Sequence, residues 1–70
     1  MSGYEKLIAF ALSGTIWEDA NPRLVEAAMR VEHGGVLDHL SKPRFNKSAR
    51  DAAAYVLLFP KEAAALADTY

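Results

Sequence analysis

Glycine and proline cut this chain into short apolar segments, and that punctuation constrains the fold more than any other feature of the sequence. Gly14, the Asn21-Pro22 pair, the Gly34-Gly35 pair, Pro43 and Pro60 stand between stretches whose apolar residues recur at the helical period. Glycine adopts positive φ at little cost and proline has no amide to donate, so each closes or opens a helix more readily than it continues one. The period-two alternation of a half-buried strand competes with this pattern nowhere. The expected class is all-α, a compact bundle of four to five short helices.

The first segment carries a capping-box pattern, with Ser2 three residues before Glu5, so a helix is expected from near Gly3. Tyr4, Leu7, Ile8, Ala11 and Leu12 form its apolar stripe and Phe10 widens it, with Gly14 placed to end it. Thr15 and Glu18 repeat the capping pattern, and a single short turn is expected over residues 16–20. Asn21 before Pro22 is a sharper signal, since asparagine is a favoured N-cap and proline at N1 gives up only an amide that lacks a partner. That helix is expected to reach about His33, with Leu24, Val25, Ala28, Met29 and Val31 inward and Arg23, Glu26 and Arg30 in water.

Val36, Leu37 and Leu40 suit a further helix of one or two turns, which Pro43 is expected to stop, because the residue before a proline avoids the α region. Asn46 or Ser48 would cap the next helix. Residues 49–58 are apolar nearly all round and mark that helix as the centre of the bundle. Pro60 either kinks this helix or opens a last one over residues 61–69.

A chain of 70 residues is one domain by size, residues 1–70. Its core is expected to supply no more than about 3–5 kcal/mol. With no cysteine, neither disulfides nor thiolate metal sites can supplement it. The N-terminus lacks a basic leader region, and no apolar run approaches the ~20 residues that span a bilayer. A cytoplasmic protein without a membrane role is the expectation.

Charge is unevenly distributed. Residues 1–41 hold six acids against three bases, and residues 51–70 hold three acids against one, yet residues 42–50 hold four bases and no acid. These bases, Lys42, Arg44, Lys47 and Arg50, are expected to precede and open a helix, where the macrodipole disfavours cations by about 0.3–1 kcal/mol each. Together with first-turn amides they make a candidate site for an anion, either a phosphate backbone or the carboxylates of an acidic protein. The alternative is a solvated loop whose charges pair internally with Asp38 and Asp51. Phe45, between Arg44 and Asn46, either belongs to the core or is placed to contact a partner. Trp17, the single tryptophan, either closes the core or anchors an interface.

The remaining chemistry is sparse. His33 and His39 lie six apart across the Gly-Gly break, not at the i, i+4 spacing that turns two imidazoles toward one metal, and no metal or cofactor is expected. Ser13 and Ser48 have no base evident in the sequence to activate them, so catalysis is not expected. A helix-turn-helix arrangement fits badly, since the would-be recognition helix is short and carries Asp38 in place of a base-reading Arg, Asn or Gln. The reading that follows is a small non-catalytic regulatory or inhibitory module, of the kind phages and mobile elements use. It would bind a larger protein through Lys42, Arg44, Phe45, Lys47 and Arg50, with Trp17 as a further contact. The alternatives are a DNA- or RNA-binding regulator that uses the same basic patch, and a structural module that forms a homodimer.

Overall fold

The computed structural model describes residues 3–70, and among them the chain forms four helices: α1 (Tyr4–Leu12), α2 (Pro22–Glu32), α3 (Lys42–Leu58) and α4 (Pro60–Thr69). The all-α class is as the periodicity predicts. The Ser2 capping box lies outside the described residues. α1 ends where Gly14 takes φ +76°, and the following linker closes on itself. There the Thr15 hydroxyl accepts from the Trp17 amide at 3.2 Å, and the Glu18 carboxylate accepts from the Gly14 amide at 2.8 Å. Thr15 and Glu18 thus satisfy the amides of Trp17 and Gly14, each one residue before its capping-box partner, and they close a series of turns without a helix. Asn21 caps α2 as expected, its side-chain oxygen accepting from the Arg23 amide at 3.0 Å, with Pro22 at the first helical position.

The third connection differs from expectation. Residues 36–40 form no helix; they turn back on a Leu40 amide to Leu37 carbonyl bond of 3.1 Å. α3 then begins at Lys42, with Ser41 as N-cap and Pro43 inside the first turn. Pro43 therefore starts a helix where it was expected to stop one, because a first-turn proline gives up no intrahelical bond and its φ is already helical. Asn46 and Ser48 are interior residues of α3 and cap nothing. At the other end Pro60 separates two helices: Phe59 at φ −131°, ψ 65° is the only residue between α3 and α4.

The core gathers Ile8 and Leu12 from α1, Val25 and Met29 from α2, Phe45, Ala49, Ala52, Ala53 and Val56 from α3, and Ala63 from α4, with Leu37 from the connection. α2 and α3 pack on each other, α1 and α4 each pack on both, and α1 and α4 do not touch. α3 thus shares the centre with α2. Ala27, about 200° around the helix from Val25, is buried as well, so α2 is covered on two sides. Val31, expected inside, is half exposed.

Glu26 and Arg30, expected in water, are drawn in beside α1, their side chains 12% and 26% exposed. They form an ion pair of 3.1 Å, and the other Glu26 oxygen is buried without a hydrogen-bond partner among the described residues. Arg30 also donates to the Gly35 carbonyl at 3.3 Å and lies 5.7 Å over the Tyr4 ring. A cation in the last turn of a helix is favourably placed against the macrodipole and the free carbonyls there.

Candidate binding surface

The earlier start of α3 changes the geometry of the basic segment. The four cations do not crowd a loop at a helix N-terminus; they run along the first half of a helix. At 1.5 Å rise per residue, Lys42 and Arg50 are separated by about 12 Å along the axis. All four are exposed. Among the described residues the ion pair found is Arg30 with Glu26, so neither Asp38 nor Asp51 neutralises the basic segment. Asp38 instead accepts a short hydrogen bond from the Tyr4 hydroxyl. That bond, followed by partial burial and the charge of Asp38, holds the Tyr4 phenol above its ordinary range, against a lowering by Arg30.

Of its two readings, Phe45 takes the core one. It sits on the inner face of α3, 5% exposed, with its ring stacked on Tyr4 at 5.9 Å between centroids. Arg44 is turned about 100° and Lys47 about 200° from it on the helix, and neither pulls it outward. Trp17 is half-buried and packs against the core from the α1–α2 linker.

A groove that the sequence reading missed lies beside the basic ridge. It opens between α1, the 36–41 connection and the start of α3, with a volume of about 600 Å³. Phe45, Leu37 and Ala11 line it together with Tyr4, Leu7, Phe10 and Leu40, and Lys42, Asn46 and Asp38 supply its polar edge. Leu7 is 48% and Phe10 80% exposed. One signal pointed here. Seven apolar residues on a helix as short as α1 cover a wider arc than one packed face can bury, so Phe10 had to point out. A smaller depression of about 370 Å³, rimmed by Glu32 and Asp51, lies between Val31, Tyr55 and Leu66.

The fold also brings His33 Nε2 within 2.8 Å of the Ser48 hydroxyl, a serine–base pair that spacing in the sequence could not show. Ser48 is only 7% exposed and His33 is half-buried, and neither lines either of these two depressions. The pair ties the end of α2 to the middle of α3. Among the described residues no cluster of three potential ligands is placed to hold a metal ion, and no helix is long and apolar enough to cross a membrane. Comparison with protein-family models, curated proteins and solved structures finds no match to this chain.

Proposed function

We propose that this chain is a small non-catalytic binding module, and that it regulates or inhibits a larger protein by docking the exposed face of α3 on an acidic surface. The observation that carries this reading is a set of four exposed cations, Lys42, Arg44, Lys47 and Arg50, with no carboxylate in ion-pair range among the described residues. Lys42 and Arg44, in the first turn of α3, also oppose the macrodipole. Asp38 and Asp51 were available in sequence to relieve them, and the fold uses neither. An anion supplied from outside fits this arrangement. Protein is favoured over nucleic acid because the ridge runs beside exposed apolar side chains, and because the formal net charge is −1. Ser48, buried, and His33, half-buried, line neither depression, which supports the non-catalytic reading.

Titration with polyglutamate and with a short DNA duplex tests the reading, using wild type and an Arg44→Glu/Lys47→Glu variant. We expect the wild type to bind polyglutamate and the variant to lose about tenfold or more in affinity, a change of about 1.4 kcal/mol. Indifference to polyglutamate, together with duplex binding whose logarithm falls by about 0.9 per neutralised phosphate against the logarithm of salt, would make the chain a nucleic-acid binder instead.

A further inference from the structure

We infer that the groove beside α1 receives an acidic amphipathic helix from the partner, with its apolar side chains on Leu7, Phe10 and Leu37 and its carboxylates toward Lys6, Lys42 and Arg50. The inference rests on the protein-docking reading above and adds the shape and chemistry of what docks.

Three observations support it. First, Leu7 and Phe10 extend the apolar surface of the floor out to the rim, where Phe10 is 80% exposed. Second, Lys42 lines the groove, and further exposed cations stand on both of the helices that flank it. On α3, Lys42 and Asn46 line the groove and Arg50 continues the same i, i+4 row. On α1, exposed Lys6 stands one turn before Phe10. The acid at the groove, Asp38, accepts from the Tyr4 hydroxyl and keeps its charge, so an occupant's carboxylates belong beside Lys42 and not beside Asp38. Third, the dimensions agree. Anchors at i, i+3 or i+4 and i+7 of a docked helix span about 10 Å, close to the separation of Lys42 and Arg50 along α3. A helix with carboxylates about two turns apart on the flank of its apolar stripe would meet both cations.

The test uses a synthetic peptide of about 15 residues with leucines at i, i+3 or i+4 and i+7 and glutamates on the flanks, beside a copy with every glutamate replaced by glutamine. Amide and methyl shifts of the labelled protein locate the contact. We expect shifts at Leu7, Phe10, Leu37 and Lys42. Phe10→Ala should cost about tenfold in affinity, as should Lys6→Glu/Lys42→Glu. These side chains are exposed, and unchanged circular dichroism of each variant establishes that the loss is not unfolding. Shifts confined to Arg44 and Lys47, with Phe10→Ala binding as wild type, would overturn the groove and leave docking by the α3 face standing. Equal affinity for the glutamine peptide would overturn the acidic partner. Absence of any shift with either peptide would overturn the inference, and the polyglutamate titration then decides separately whether the docking reading falls with it.

Discussion

The Tyr4 side chain touches three other parts of the molecule: Asp38 accepts from its hydroxyl, Phe45 stacks on its ring and Arg30 lies over it. Its phenol is raised above the usual value of about 10, so the neutral form is favoured by folding. The associated stability is complete below that ordinary value and is lost as pH climbs through the raised one. Denaturation followed between neutral and strongly alkaline pH should show this decline, and Tyr4→Phe should remove its share of it. The two phenylalanines that line the groove have opposite roles. Phe45→Ala empties a core position at a cost of about 3 kcal/mol or more, most of what a core this size supplies, and should leave the chain largely unfolded. Phe10→Ala should fall within about 0.5 kcal/mol of wild type in urea denaturation. In the sequence each looked like the other's case. Phe45 stood among charges and Phe10 among apolar residues, yet on a helix the neighbours i±1 do not share a residue's face. The bond between His33 and Ser48 was equally hidden, since it joins two helices; Ser48→Ala should cost about 1 kcal/mol.

At the scale of elements, signals that act through one residue's own backbone were legible and those that depend on context were not. Asn21-Pro22 opened α2 because both residues satisfy or remove an orphan amide locally; Asn21→Ala should cost about 1 kcal/mol in thermal or urea unfolding. Gly34 and Gly35, at φ +66° and +86°, ended it for an equally local reason. Pro43 was ambiguous because proline both ends and begins helices, and only the packing of Phe45 against Tyr4 and the core settles which it does here. The first turn of α3 remains poorly made by local rules: Ser41 makes no side-chain cap bond and Arg44 stands where an acid would be favourable. Arg44→Glu would complete a Ser-x-x-Glu capping box and relieve the macrodipole, and should raise stability by about 0.3–1 kcal/mol while weakening docking. Opposite signs in melting temperature and in affinity would separate a functional cation from a structural one.

In the whole molecule, α2 and α3 form a central pair with α1 on one flank and α4 on the other. The helical class and the number of major elements could be read from punctuation and period, whereas this arrangement could not, because α2 owes its double burial to Ala27 and not to a wider apolar stripe. The groove belongs to the same hidden level, since its walls come from segments more than 30 residues apart. The absence of contact between the flanking helices has a dynamic consequence. Each can detach without disturbing the other, so amide hydrogen exchange should resolve two separate partial openings, one exposing α1 and one exposing α4, both cheaper than release of the α2–α3 pair. α1 supplies one wall of the groove, so an occupant bound there should slow exchange in α1 and leave α4 exchanging as before. The two end helices would then act as probe and internal control within a single experiment.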